Sequence, residues 1–420
     1  MKRIQLEIKA LSPLAIGRQK PGGSISEVEN YIPGSVIRGA IAAQTLKQSG
    51  HQSINLAENG GDFQALFLGE NPAIFHNAYP ATLEINGKIV PQDRVGEIRV
   101  LPATALSSKT ESGFKSTKPP KHGVFDTLID RFCAERYGYP YDPTCPTDGG
   151  RVDTVDFSFY SKFNDKYYKH SVNKRLLTRV GINRRRATAE EQILYSIEVL
   201  NESESQGKNP KPVIYTAAIL VTDHLAEPLR QFIDNHRENF RLGGSASRGL
   251  GRVEIKAKTV DVKSEVVERI KQFNEKLRTR WNQWSIFGNP LEELLSDRTY
   301  FTLDLQSDAI LTEQWRRTTV ISEAMLQQFA GIEDESLKLE AAYSSYDYRS
   351  GWNAAWGLMK DVALITNKGS VYLFSTTQQD SWLNSLGELE LKGVGERTPE
   401  GFGQVQVCND FHLVFRDKAV

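Results

Sequence analysis

Apolar residues alternate with polar ones in several short segments of the chain, the pattern of half-buried β-strands. The first such segment is residues 3–8, where Ile4, Leu6 and Ile8 alternate with polar neighbours. Four later segments are also predicted to be strands, the last with a hairpin turn at residues 367–369: ILYSIEVL (193–200), PVIYTAAILV (212–221), YFTLDLQ (300–306) and VALITNKGSVYLFST (362–376).

Apolar residues at helical spacing predict helices between these strands. The segment YIPGSVIRGAIAAQTLKQSG (31–50) predicts a helix with Ser35 as its N-cap and Gly50 at its end. A second helix is predicted over residues 225–240, with His236 on its apolar stripe, where we interpret it as a core histidine. A connecting helix is predicted within residues 263–284. Strands and helices in this order predict an α+β protein.

Two glycine loops repeat along the chain. RLGGSASRGLGRVEI (241–255) and GVGERTPEGFGQVQV (393–407) align at an offset of 152, which predicts two copies of one supersecondary unit. Both loops precede a strand, whereas phosphate loops of P-loop and Rossmann type open a helix, so no nucleotide site is predicted. Their glycines would allow backbone amides to approach an RNA strand, with Arg248 and Arg397 as charged clamps, or would simply form tight turns.

The charge pattern restricts where a polyanion could bind. At 420 residues the chain is long enough for two or three domains, and its 52 basic and 52 acidic residues cancel, so a nucleic-acid site must be a local patch. Residues 162–186 carry nine Lys or Arg against one Asp, with interleaved Phe163, Tyr167 and Tyr168. This composition is typical of a single-stranded RNA groove, although a solvated face would have the same charge.

Other segments suggest no further chemistry. The Lys- and Pro-rich composition of residues 106–121 predicts a mobile basic loop. His122, Cys133 and Cys145 could hold zinc, but a C-x-x-C pair and a fourth ligand are missing, so we predict buried or free thiols and no metal. The N-terminus alternates like a strand instead of a signal peptide, and no apolar run reaches membrane-spanning length, so we expect a cytoplasmic protein.

Several motifs together resemble the RAMP superfamily of CRISPR-associated proteins. They are the helix opening IPGSVIRGAIA, the segment LLTRVGINRRRATAEEQILYSIEVL and the paired loops GGSASRGLGRV and GVGERTPEGFGQV. The doubled loop, above all GERTPEGFGQV, is most similar to the Cas-five-like subunit of type III-D effector complexes. One departure is that GGSAS lacks the lysine often found early in such loops.

The resemblance implies two tandem ferredoxin-like (RRM-like, βαββαβ) domains with inserted loops. We expect an N-terminal RAMP domain with a basic hairpin, or thumb, over 1–257, a connecting helix over 258–298 and a C-terminal RAMP-like domain over 299–420. The resemblance further implies a non-catalytic subunit that needs no cofactor. Such a subunit binds the 5′ handle of CRISPR RNA, contacts the large polymerase-like subunit and the backbone RAMP subunits, and meets target RNA indirectly.

Matched by position, the implied RNA-binding residues lie in the helix opening, the basic hairpin and the two glycine loops. They are Ser35, Arg38, Lys174, Arg175, Arg179, Arg184, Arg185, Arg186, Gly243, Gly244, Arg248, Gly249, Gly251, Gly393, Gly395, Arg397, Gly401 and Gly403.

Three alternatives remain open from the sequence. A repeat-processing endoribonuclease of the same fold would use a histidine as general base on the 2′-hydroxyl, and His51 is the candidate. A metal-dependent nuclease would need aspartates such as Asp153, Asp156 and Asp347, which no spacing groups as Mg²⁺ ligands. A protein-binding module would carry the basic patches only as surface.

Overall fold

The computed structural model describes residues 1–18, 27–49, 61–85, 88–90, 95–183, 188–204, 210–262, 264–353 and 357–420. The architecture is mixed α+β, as predicted. The helices are α1 (Gly34–Ser49), α2 (Gly61–Phe67), α3 (Leu128–Arg136), α4 (Asp223–Asn235), α5 (Val266–Trp284), α6 (Glu323–Ala330) and α7 (Gln379–Lys392). Within these described ranges, no helix has the length and apolar character needed to span a bilayer.

The strands fall into two central antiparallel sheets, two long hairpins and many short pairs. The strands of the sheets and long hairpins are β1 (Lys2–Ala10), β2 (Ile74–Phe75), β3 (Tyr79–Pro80), β4 (Lys174–Asn183), β5 (Thr188–Leu200), β6 (Ile214–Val221), β7 (Val253–Val260), β8 (Thr299–Leu305), β9 (Lys338–Tyr343), β10 (Tyr346–Asn353), β11 (Leu358–Thr366), β12 (Val371–Thr376) and β13 (Val405–Val407). The shorter strands are Gly17–Arg18, Glu27–Val28, Glu84–Ile85, Lys88–Ile89, Arg99–Val100, Ala105–Ser108, Ser116–Thr117, Pro120–Lys121, Val124–Asp126, Val152–Thr154, Phe159–Phe163, Lys166–His170, Ser203–Glu204, Lys211–Pro212, Leu311–Glu313 and Arg316–Thr318.

The first central sheet has the strand order β7–β1–β6–β2, with β3 also paired to β6. The alternation predicted for the first strand places Ile4, Leu6 and Ile8 fully inside the first core. Helices α1 and α4 add Ile41 and Ile233 to the same core. We call the chain up to β7 the first half and the chain from α5 onward the second half.

The second central sheet repeats this arrangement with the order β9–β12–β8–β13. The pairing of the first and last strands matches too. Ile8 lies opposite Ile255 in the first sheet, and Leu303 lies opposite Val407, the residue that corresponds to Ile255 at the offset of 152, in the second. The second core also takes in α5, the predicted connecting helix, whose apolar stripe includes Phe273. Helix α3, although it precedes β7 in the chain, packs there as well.

The two glycine loops have the same backbone conformation at an offset of 152. Ser245 and Arg397, which correspond, both have a φ of 58°, and each begins a 3₁₀ turn, Ala246–Arg248 or Thr398–Glu400. In both loops one amide donates to the segment that follows the first strand of the same half, Gly244 N–H to the Ala15 carbonyl and Glu396 N–H to the Ile310 carbonyl, each at 2.9 Å. The internal repeat is therefore confirmed in the backbone.

The second glycine loop packs against the beginning of α1 in the first half. A Cβ at Gly401 would lie 2.7 Å from Asn77 Oδ1 and 2.8 Å from the Phe75 carbonyl oxygen, and a Cβ at Gly34 would lie 2.9 Å from the Glu400 carbonyl oxygen. The two halves thus meet backbone to backbone at this point.

The start of α1 differs from the prediction. The helix begins at Gly34, so Ser35 lies in its first turn and is not the N-cap. The Gly34 N–H donates instead to Asn77 Oδ1 at 2.8 Å. A side chain distant in sequence therefore satisfies an amide that has no partner within the helix.

A buried ion network also joins the halves. The Arg349 guanidinium contacts the Glu29 carboxylate, lies 2.9 Å from the Tyr31 hydroxyl and lies 3.1 Å from Asp308 Oδ2. Burial alone would raise the pKa of Asp308, but Lys368 and Arg349 lower it below its ordinary value. Removing one member of such a buried network leaves an uncompensated charge.

Two further predictions about local structure were wrong. Residues 106–121 are not a mobile loop, because Ala105–Ser108 pairs with both Val124–Asp126 and Val152–Thr154, and Phe114 packs on the Phe411 ring. Residues 367–369 do not close a hairpin, because β11 pairs with β10 whereas β12 pairs with β8 and β9. Both errors concern pairing partners, which local patterns do not fix.

One buried histidine connects three parts of the chain. His412 is fully buried, with Nε2 2.7 Å from Asp304 Oδ1 and Nδ1 3.1 Å from Asp126 Oδ1. Burial alone would lower its pKa, but the two carboxylates raise the pKa of His412 to about 10. The imidazolium therefore neutralises charge inside the core.

The corresponding glycines of the two loops give a matched test of the contact between the halves. Gly249 and Gly401 have φ values of 84° and 91°, but a Cβ at Gly249 would meet no atom of the described residues within 4 Å. Gly249→Ala should lower the free energy of unfolding by about 1 to 2 kcal/mol, the cost of a left-handed residue. Gly401→Ala adds an overlap with backbone and should cost about 3 kcal/mol or more, measured by denaturant unfolding. Equal losses in the two variants would mean that the second loop does not press on the first half.

The His412 site predicts a pH dependence of stability. Because the folded pKa lies above the ordinary value near 6.5, the stabilisation is fully present below about pH 6.5 and is lost as the pH rises through 10. His412→Gln should remove this part of the fall in unfolding free energy between about pH 7 and pH 10, and should cost about 3 to 5 kcal/mol at pH 7 because two carboxylates lose their partner. His236→Gln, at the half-buried end of α4, is the control and should keep the wild-type pH profile. A profile unchanged by His412→Gln would contradict the assignment.

Candidate nucleic-acid interface

The basic segment predicted to bind RNA forms a long antiparallel hairpin of β4 and β5. Its register places Arg179 directly opposite Tyr195. The base of the hairpin is fixed to the short strand Glu27–Val28. Glu198 Oε2 accepts a hydrogen bond from the Val28 N–H at 2.6 Å, and the Lys174 ammonium donates to the Val28 carbonyl. The hairpin therefore has a defined orientation relative to the first central sheet.

The first glycine loop contacts this hairpin through one arginine. Arg248 Nη1 donates to the Tyr195 hydroxyl at 2.7 Å, and its guanidinium carbon lies 5.3 Å from the centre of the Tyr195 ring. Residues opposite each other on an antiparallel pair share one face, so Arg179 lies on the same side as Tyr195. We call Arg179, Tyr195 and Arg248 the arginine–tyrosine cluster.

The arginine–tyrosine cluster has the chemistry to bind a single-stranded nucleic acid. In the described part of the chain, neither arginine of the cluster forms an ion pair with a carboxylate. Guanidinium groups without an acidic partner attract phosphates, and a tyrosine ring provides a face for base stacking. The loop beside the cluster is open in the described part of the chain, because a Cβ at Gly249 would meet no described atom within 4 Å.

Other predicted arginines are bonded within the protein. Arg38 Nη2 donates to the Phe67 carbonyl at 2.7 Å, and burial lowers the pKa of Arg38. Arg175 pairs with Glu202 at 2.9 Å. These guanidinium groups contribute to holding α1 and the hairpin in place.

The two loop arginines, grouped as clamps in the sequence, occupy different positions in the repeat. At the offset of 152, Arg397 corresponds to Ser245, whereas Arg248 corresponds to Glu400. Arg397 Nη2 pairs with Glu400 at 2.6 Å, and its guanidinium lies 4.9 Å from the centre of the Phe402 ring. Arg248 thus faces the hairpin, and Arg397 is bound within its own loop.

The remaining predicted residues divide between the two loops and the residues that the structure does not describe. Gly243, Gly244, Gly249 and Gly251 lie in the first loop, and Gly393, Gly395, Gly401 and Gly403 lie in the second, which covers the start of α1 where Ser35 is found. Arg184, Arg185, Arg186 and His51 fall outside the described residues.

The aspartates considered for a metal-dependent nuclease lie on separate elements. Asp347 on β10 pairs with Arg18, and Asp153 in the strand Val152–Thr154 lies 4.0 Å from Lys109 Nζ. Across the ranges that the structure describes, neither these two nor Asp156 belong to a group with metal-ligand spacing.

Tyr195 was missed by the sequence reasoning. The alternation in ILYSIEVL placed Tyr195 on a strand, but its role depends on the register with β4 and on the approach of Arg248 from 53 residues away. The only signal in the sequence was an aromatic residue on the strand that follows a basic one.

Comparisons with known proteins give a family match and distant structural likenesses. A family model described as the RAMP superfamily matches residues 7–254, more than half of the chain. No curated protein matches. A chain in a cryo-EM structure of the type III-B Cmr-beta complex bound to cognate target RNA and AMPPnP is 13% identical with a TM-score of 0.40, covering 90% of this chain and 88% of that chain. A chain of a type IV-B CRISPR complex is 14% identical with a TM-score of 0.25 (63% and 93% covered), and oligomeric Cmr4 from Pyrococcus furiosus is 14% identical with a TM-score of 0.25 (62% and 99% covered).

Proposed function

The chain belongs to the RAMP superfamily, and from this membership we propose that it is a non-catalytic, CRISPR-RNA-binding subunit of a type III CRISPR effector complex that acts in antiviral defence. In this proposal it is the Cas-five-like subunit of a type III-D complex. It binds the 5′ repeat handle of the CRISPR RNA, lies between the large polymerase-like subunit and the backbone RAMP subunits, and works in the cytoplasm.

The observation that carries the proposal is the difference between the two glycine loops. The second loop is covered by the first half, with Gly401 against Phe75 and Asn77. The first loop has the same backbone but leaves Gly249 open and places Arg248 on the Tyr195 ring. A glycine loop beside an aromatic ring and two arginines that pair with no carboxylate among the described residues is suited to a strand of RNA.

The proposal also interprets the architecture. We take the two central sheets, each with its fourth strand beside its first, as the tandem ferredoxin-like domains of the family. Residues 1–257, 258–298 and 299–420 remain our proposed division of the chain. In this division α3 is an inserted element of the first domain that packs on the second core.

RNA binding should depend on the arginine–tyrosine cluster. Arg179→Ala and Arg248→Ala should each weaken binding of a single-stranded RNA that carries the repeat-derived 5′ handle, and each should reduce the slope of log affinity against log salt by about 1. Tyr195→Ala should cost about 1 to 3 kcal/mol of binding through lost stacking, whereas Tyr195→Phe keeps the ring and should retain most of the affinity. Fluorescence anisotropy across a salt series measures both quantities.

The matched control is Lys271→Ala, which removes an exposed positive charge on α5. It should leave affinity and salt slope unchanged. Equal effects of Lys271→Ala and Arg248→Ala, or no preference for the handle RNA over heparin, would leave only nonspecific charge and contradict an RNA site at the cluster.

Assembly in cells provides a second test. The tagged chain should co-purify with a short RNA of uniform 5′ end and with other effector subunits. Combined Arg184→Ala, Arg185→Ala and Arg186→Ala should reduce the RNA recovered, because these three arginines add positive charge to the sequence between β4 and β5. Purification without RNA and without partner subunits would refute the proposal. Metal-independent cleavage of repeat RNA that disappears in His51→Ala would favour the endoribonuclease instead.

A further inference from the structure

Three side chains with metal-ligating atoms meet away from the arginine–tyrosine cluster. His122 Nδ1 lies 3.5 Å from Cys145 Sγ and 3.3 Å from Asp148 Oδ2. The ligating atoms of all three residues lie within 4.8 Å of one another. We call them the His–Cys–Asp cluster.

The spacing of these atoms matches the edges of a zinc tetrahedron. With Zn–S near 2.3 Å, Zn–N near 2.05 Å and Zn–O near 2.1 Å, tetrahedral angles give an S···N distance of about 3.6 Å and an N···O distance of about 3.4 Å. The observed separations of 3.5 Å and 3.3 Å are within about 0.1 Å of these values. The two edges at His122 Nδ1 thus fit a tetrahedral ion, and the third edge, between Cys145 Sγ and Asp148, is at most 4.8 Å.

The turn that carries two of the ligands is fixed by its own hydrogen bonds. The Cys145 N–H donates to the Gly150 carbonyl at 2.8 Å, and the Gly149 N–H donates to the Cys145 carbonyl at 2.9 Å. The Gly150 N–H donates to Asp148 Oδ1 at 2.9 Å, which leaves Oδ2 directed to His122. The turn thus presents a thiol and one carboxylate oxygen to the same imidazole.

Charge and exposure also suit a divalent ion. Cys145 is buried, whereas the side chains of His122 and Asp148 are 18% and 38% exposed, so an ion could enter from the solvent side. A thiolate and a carboxylate together neutralise the two charges of the ion.

We propose that His122, Cys145 and Asp148 bind a zinc ion, with the fourth position open to water. Binding replaces the Cys145 S–H bond by a Zn–S bond and releases that proton to solvent, while His122 binds in its neutral form through Nδ1. No electron is transferred. The ion fastens the turn at 145–150 to the strand end at His122.

The three proposed ligands differ from the set considered from the sequence. Cys133 is not a ligand, because its side chain lies in the second core, where burial raises the pKa of its thiol to about 12. Asp148 takes its place, three residues after Cys145. A C-x-x-D pair therefore stands where a zinc knuckle has C-x-x-C.

The zinc ion would strengthen the region where the C-terminus packs. The Val124 N–H, two residues after His122, donates to the Val420 carbonyl at 2.8 Å, and Arg416 Nη2 donates to Thr144 Oγ1 at 2.9 Å, next to Cys145. These two anchors of the C-terminal segment are thus neighbours of proposed zinc ligands. If zinc binds the folded chain and not the unfolded chain, it raises the melting temperature of the protein.

Metal analysis tests the proposal on the full-length chain. Protein purified without chelator and dialysed should retain about one zinc per chain, with a dissociation constant below about 1 µM in competition with a chromogenic chelator. Cobalt(II) added to the zinc-free protein should give the intense visible bands of a tetrahedral site together with thiolate-to-cobalt charge transfer. The proposal is overturned if the zinc-free protein shows no charge-transfer band after cobalt(II) is added. A dissociation constant for zinc above about 1 µM also overturns it.

Substitutions locate the site. Cys145→Ser, His122→Gln and Asp148→Asn should each lower zinc retention at least tenfold and abolish the rise in melting temperature that zinc gives the wild type. Asp165→Asn and His236→Gln remove the same types of group outside the cluster and should retain zinc fully. Full retention in all three cluster variants would place any zinc elsewhere and refute the assignment. The cobalt spectrum of the wild-type chain decides the matter if a variant does not fold.

Discussion

The close backbone contact between the second glycine loop and the start of α1 is the constraint on which the rest of this structure depends. It is possible only because glycine stands at both positions: a Cβ at Gly34 would lie 2.9 Å from the Glu400 carbonyl oxygen, and a Cβ at Gly401 would lie 2.8 Å from that of Phe75. The Arg349–Glu29 ion pair and the hydrogen bond from the Tyr31 hydroxyl to Asp308 add buried polar contacts between the halves. Since both features connect residues more than 270 positions apart, the two halves have a fixed mutual orientation.

That constraint explains why two loops of one conformation have different surroundings. The second loop packs through Gly401 against Phe75 and Asn77 of the first half, and its Arg397 pairs with Glu400. The first loop has no such neighbour at Gly249 among the residues that the structure describes, and its arginine lies on Tyr195 of the long hairpin. The repeated unit thus makes an internal contact in its second copy and leaves Gly249 without a described neighbour in its first copy.

Charge compensation inside the protein further narrows the basic surface. Of the arginines that carry the resemblance to the family, Arg38 and Arg175 are bonded to the protein itself, so their charge supports the fold. Buried acidic groups are also compensated within the protein, since His412 lies between Asp126 and Asp304. A count of basic residues in the sequence therefore overestimates the charge available to a polyanion.

The sequence by itself determined the features that depend on local pattern. Alternation at Ile4, Leu6 and Ile8 was sufficient to predict β1, the apolar stripe of α5 was predicted from its spacing, and the glycine offset of 152 revealed the repeat that the backbone confirms. The family followed from motifs of the same local kind. Only the tertiary structure decided that β11 pairs with β10 instead of β12, that Arg248 reaches Tyr195 while Arg397 turns to Glu400, and that Asp148 replaces Cys133 beside His122. Strand pairing, ion pairing and ligand grouping depend on the free energy of contacts between distant segments, and local periodicity does not encode which segments meet.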